Sequence, residues 1–138
     1  MKTLALALFL GLAASTRAAE PASTASAPQG LKPGLVDAAT ARTLAASGVR
    51  VVDVRTPAEF AAGHVPGALN IPFEEMERRH AELGPPSTPV LLYCRSGRRS
   101  GIAAEVLRGK GFDRLYDFQT LDRWVAAGGA VQTGSSTQ

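Results

Sequence analysis

The sharpest chemical feature of the sequence is the run Cys94-Arg95-Ser96-Gly97-Arg98-Arg99-Ser100, which sets the only cysteine of the chain among three arginines. The thiolate, not the thiol, is the nucleophile, and its formation is favoured by nearby cations and by the free N–H groups of a helix start. Gly97 allows a turn sharp enough for successive N–H groups to converge on one point as an anion nest. These residues predict a cysteine of lowered pKa at the bottom of a small cationic bowl. A lone cysteine after an apolar run is ordinarily a core residue. Against that bland reading, Arg, Ser and Gly crowd the next positions, where a core strand would not place them.

Regular elements must hold such a loop. Val90-Leu91-Leu92-Tyr93 reads as a buried strand leading into Cys94, and Ser100 to Lys110 as a helix with Ile102, Ala103, Val106 and Leu107 on one face. Upstream, Asp37 is the N-cap of a helix over Ala38–Ser47 that Gly48 stops. Val49–Val54 is an almost continuous apolar strand. Thr56, Pro57 and Glu59 form a capping box that opens a short helix ending near Gly63. A small strand over Ala68–Ile71 follows, then an amphipathic helix over Phe73–Leu83 broken by Gly84-Pro85-Pro86. Leu115–Phe118 is the last strand, and Leu121–Ala127 the last helix, before Gly128-Gly129. Strands alternating with helices predict an α/β domain with a mainly parallel sheet. In such sheets ligands sit at the carboxyl ends of the strands. That rule selects the Cys94–Ser100 loop and the loop Arg55-Thr56-Pro57.

The 138 residues are 45% hydrophobic and 20% charged, enough to bury the core of one domain and unlike a disordered chain or a coiled-coil rod. One cysteine excludes a disulfide framework and a Cys-rich zinc module. Behind Lys2 and Thr3, the eleven residues without a polar side chain, Leu4–Ala14, are too few to cross a bilayer, which takes about 20. With the small residues Thr16 and Ala18 behind it, the segment predicts a signal peptide over 1–18, cleaved after Ala18, and a periplasmic, soluble product with no membrane segment. The formal charge of +3 falls to +1 without Lys2 and Arg17, which gives no general reason to expect nucleic-acid binding. Residues 19–31, rich in Ala, Ser and Pro, read as a flexible linker, 32–132 as the domain, and 133–138 as a loose tail.

The run Asp53 to Pro72 (DVRTPAEFAAGHVPGALNIP), the loop Tyr93 to Ser100, and Leu121-Asp122-Arg123-Trp124 before Gly128-Gly129 resemble, in order, the signature segments of rhodanese-like domains. The resemblance spans roughly Val36 to Val131. It implies a single-domain sulfurtransferase with a five-stranded parallel sheet flanked by helices, and with Cys94 carrying a persulfide. Arg95, Ser96, Gly97, Arg98, Arg99 and Ser100 would then bind a small anionic sulfur donor such as thiosulfate, with Arg55 as a further candidate. A thiol or cyanide would accept the sulfur, and no cofactor or metal is implied. The chain departs from the family at Gln119-Thr120, where two glycines are common.

Alternatives stand beside this expectation. The same loop could serve a sulfur-carrying or partner-binding module without enzymatic activity. Cysteine phosphatases and arsenate reductases also cradle an oxyanion above a thiolate, but with an arginine sixth after the cysteine, where this chain has Ser100. Among the remaining polar residues, His64 is expected to make a structural hydrogen bond and His80 to lie on the surface. Asp53 is expected to tie its loop. Arg55 is left between the anion bowl and a carboxylate partner.

Overall fold

The computed structural model describes residues 26–135, so the expected leader and most of the expected linker lie outside the described residues. The elements are β1 (Gly34–Leu35), α1 (Ala38–Ala46), β2 (Arg50–Asp53), α2 (Pro57–Ala62), β3 (Leu69–Asn70), α3 (Met76–Arg79), β4 (Val90–Cys94), α4 (Arg98–Gly109), β5 (Leu115–Thr120) and α5 (Leu121–Ala126). The strands form one five-stranded sheet in the order β1-β5-β4-β2-β3, and every pairing is parallel. This is the α/β architecture that the alternating pattern predicts.

Side chains alternate across the sheet and feed two apolar clusters. Val51, Leu91, Tyr93, Tyr116 and Phe118 join Ala41 and Leu44 of α1 and Trp124 of α5 in one cluster. Val52, Leu92, Cys94 and Leu115 join Met76, Ala103 and Leu107 in the other. All five residues of β4 are buried, because the central strand is covered on both faces. Strand order puts the carboxyl ends of β2, β4 and β5 side by side, which gathers the loops that follow them.

Several boundaries differ from the sequence-based expectation. Helix α4 starts at Arg98, two residues before the expected Ser100, because Gly97 takes the left-handed conformation (φ 92°) and acts as its N-cap. The expected helix over Phe73–Leu83 is split: Phe73–Glu75 and His80–Leu83 are 3-10 turns on either side of α3. Its apolar face is nevertheless used, since Met76 and Leu83 are both buried. Strand β5 continues to Thr120, whose side chain then caps α5 by accepting from the Arg123 N–H at 3.2 Å. The end of the expected linker is packed rather than loose: Ala27 is 4% exposed and Leu31 leans on the same cluster. The tail is also tied at its start, where the Gly134 N–H donates to the Ala61 carbonyl at 2.8 Å, just after Gln132 at the domain's end exchanges backbone bonds of 2.9 Å with His64. Backbone bonds of this kind leave no mark on side-chain composition.

Candidate active site

Cys94 is the last residue of β4 and is fully buried. Arg95–Gly97 turn the chain from the strand into α4, so the sulfur lies beneath the first turn of that helix. The Gly97 N–H donates to Sγ at 2.9 Å, and Ser100 Oγ lies 3.6 Å from Sγ. Burial pushes the thiol up, but the Ser100, Ser96 and Gly97 N–H groups and the Ser100 hydroxyl outweigh it. Cys94 therefore stands below its ordinary pKa. The Gly97 N–H is the loop amide that bonds the sulfur directly.

Gly97 is required on two grounds. Its φ of 92° is one that side chains rarely adopt, and a Cβ there would lie 3.2 Å from the Cβ of Gln119. Gln119 is itself the one described residue other than glycine with positive φ, at 72°. It sits where the register of β5 shifts, since Leu92 faces Asp117 but Tyr93 faces Gln119. The position where the resemblance leads one to expect glycine is thus held by a residue in the conformation that glycine adopts most readily.

The loop arginines differ in their commitments. Arg95 and Arg98 are exposed, whereas Arg99 donates through both terminal nitrogens to Glu59 at 2.8 and 2.9 Å. These bonds hold the Glu59 carboxyl down at about 2. Arg98 and Arg99 occupy the first turn of α4, which contains no acidic residue. Cations at a helix N-terminus are disfavoured by about 0.3–1 kcal/mol each, an arrangement suited to an anion placed among them.

Arg55, left open by sequence, is bound to a carboxylate. Its Nε lies 2.9 and 3.0 Å from the two Asp53 oxygens, and its Nη2 reaches Asp53 Oδ2 at 2.5 Å and the Gly63 carbonyl at 2.6 Å. Asp53 also accepts from the Arg55 N–H at 2.9 Å, so it ties the loop after β2 as expected. Arg55 still borders a cleft of about 260 Å³ whose other walls are Glu59, Ala62, Arg95, Leu121 and Asp122.

His64 is buried, stacked on Phe60 with centroids 3.6 Å apart, and its Nδ1 lies 2.7 Å from the Phe60 carbonyl, a structural bond of the expected kind. His80, expected at the surface, is half-buried, with its Nδ1 2.9 Å from the Glu77 carbonyl.

Sequence reasoning passed over two carboxylates. Glu59 read only as a helix cap, and it does cap α2, yet the same side chain holds Arg99 beside the thiol. Asp117 read as part of a strand; it is 8% exposed and accepts from the Ser100 hydroxyl at 2.9 Å and the Gln119 N–H at 2.8 Å. An acid amid Leu115, Tyr116 and Phe118 was the available signal.

Comparison with known proteins agrees with this geometry. The family model of the rhodanese-like domain matches residues 37–122. A sulfurtransferase of Allochromatium vinosum is 41% identical over 71 residues, covering 51% of this chain and 65% of that protein. The thiosulfate sulfurtransferase PspE of Escherichia coli is 42% identical over 65 residues, 46% of this chain and 62% of that protein. The chain thus spans less than two thirds of the length of these two relatives. A solved structure, a rhodanese with anions from E. coli, superposes with a TM-score of 0.56 at 34% identity, covering 62% of this chain and 98% of that one. The motif order, the parallel sheet and the cysteine loop all accord with the match: this chain belongs to the rhodanese-like domain family.

Proposed function

We propose that the chain is a sulfurtransferase that moves sulfane sulfur from thiosulfate, or a similar small anionic donor, to a thiol or cyanide through a persulfide on Cys94. The observation that carries this reading is the Cys94 sulfur set at the focus of the loop N–H groups, with Gly97 N 2.9 Å away. The names of the two relatives support the same chemistry.

In the first step the Cys94 thiolate attacks the outer sulfur of thiosulfate. A sulfur–sulfur bond to Cys94 forms while the donor's own sulfur–sulfur bond breaks, and sulfite leaves with the electron pair. Arg95 and Arg98, exposed at the rim, draw in the dianion and stabilise the charge on the departing sulfite. The N–H groups around Sγ then accommodate the persulfide. In the second step an acceptor thiolate or cyanide attacks the outer persulfide sulfur, and Cys94 departs as the thiolate. Stabilising that thiolate serves both steps, because it is the attacking group in one and the leaving group in the other.

Intact-mass spectrometry tests the reading. Incubation with thiosulfate should add the mass of one sulfur atom and cyanide should remove it, while Cys94→Ser should gain nothing. A protein that never acquires the sulfur would belong instead with the non-enzymatic binding modules. The leader-like residues 1–18 support a periplasmic location; an exported form beginning at Ala19 is the expected product of N-terminal sequencing.

A further inference from the structure

Behind the thiol, a chain of hydrogen bonds leads away from the loop to a buried acid that the sulfur chemistry above does not use. Cys94 Sγ donates to Ser100 Oγ at 3.6 Å, and the Ser100 hydroxyl donates to Asp117 Oδ2 at 2.9 Å. The Gly97 carbonyl, 3.1 Å from Ser100 Oγ, is the longer alternative for that proton. Asp117 is 8% exposed and forms no ion pair among the described residues. Its second oxygen accepts from the Gln119 N–H at 2.8 Å, which fixes the carboxylate toward Ser100.

We propose that Asp117 takes up the Cys94 proton through the Ser100 hydroxyl, so that the thiol and the carboxylate share one proton along the line Cys94–Ser100–Asp117. The transfer balances within the three residues. The Cys94 S–H bond breaks and its proton goes to Ser100 Oγ, while the proton already on Oγ passes to Asp117 Oδ2. Negative charge moves from the carboxylate to the sulfur, and none leaves the site. The Gly97 N–H and the other loop amides meet the charge where it arrives. Asp117 does not touch the sulfur and acts through Ser100, as a positioning residue for the proton.

The environment favours a shared proton. Burial raises the Asp117 carboxyl, only partly offset by the Gln119 N–H, the Ser100 hydroxyl and the charge of Arg123 on α5. The loop lowers the thiol. The two directions narrow the gap between the carboxyl and the thiol, and ionisable groups coupled through one hydroxyl titrate as a pair. The other charges around the line are Arg99, which acts on the sulfur, and Glu105 and Arg108 of α4, which border the cleft beside Asp117. From β1 that cleft receives only Gly34 and Leu35, and from β5 also Leu115 and Tyr116.

The inference rests on Cys94 as the nucleophile, but its test reads ionisation and not sulfur transfer, so the two readings fail separately. The ultraviolet absorbance of the thiolate is followed against pH, with Cys94→Ser as the blank. Wild type should gain thiolate in two steps, the first as the pair gives up its first proton and the second as it gives up the other. Ser100→Ala should lose the first step although Asp117 is intact, Ser100→Thr should restore it, and Asp117→Asn should titrate once. If Asp117→Asn does not fold, the Ser100 variants decide the matter alone. A single step in wild type, or two steps retained in Ser100→Ala, would overturn the relay.

Discussion

Arg99 and Glu59 face each other across the mouth of the loop and join through two bonds of 2.8 and 2.9 Å, which tie the first turn of α4 to the first turn of α2. Glu59 also accepts from the Thr56 N–H at 3.0 Å, so one carboxylate serves as a cap and as the counter-ion of a site arginine. Forty residues separate the partners in sequence. The cationic bowl is therefore braced, not merely assembled from three neighbouring arginines.

Glu59→Gln should lower stability by up to roughly 1 kcal/mol, the range for a partly exposed pair, because glutamine can keep the capping contact to Thr56. The folded-state carboxyl, near 2, lies below its ordinary 4.5. Its contribution is thus fully present above about 4.5 and is lost as pH falls toward about 2, where the unfolded chain binds the extra proton. Urea denaturation across that window should show a steeper loss for wild type than for the variant.

Arg98→Ala should raise the KM for thiosulfate without loss of stability, as for an exposed position that sets a cation at a helix N-terminus. Arg99→Ala should also affect stability, because Glu59 loses its partner. Steady-state kinetics beside thermal melts would separate the two; equal stability in both variants would remove the bracing role.

Asp53→Asn should destabilise by about 3 kcal/mol or more, since it leaves the Arg55 guanidinium buried without a counter-charge. The loop after β2 should loosen at the same time, because Asp53 also holds the Arg55 N–H. Denaturant midpoints give the first quantity, and hydrogen exchange of the Arg55 and Thr56 amides the second.

Gly97→Ala should be among the most damaging changes at the site, combining left-handed strain with contact against Gln119. Gln119→Gly removes that contact and its own positive φ, and should recover part of the lost stability in the double variant. Strictly additive melting shifts would contradict the contact.

The caps were the most legible features. Asp37 and the Thr56–Glu59 box depend on local bonds, and both begin helices at the expected residues. Cys94 was equally readable, because a strand end, a glycine and clustered arginines coincide within a few positions. By contrast, β1 is two residues long and has no alternation to read; its place is set by pairing with Tyr116 and Asp117. The 3-10 turns around α3 contain no internal proline or glycine, so nothing local announces them. Glu59 with Arg99, and Asp117 with Ser100, join residues brought together only when α2, α4 and β5 pack. Long-range pairing of this kind is a property of the folded chain.

The complete burial of Cys94 has a consequence for handling the protein in air. A disulfide requires two sulfurs about 2.05 Å apart. With Sγ sunk below the loop, two folded molecules cannot bring their thiols to that distance. Aerobic storage should therefore not yield covalent dimers, and damage should take the form of oxygen added to a single sulfur by peroxide-sized oxidants.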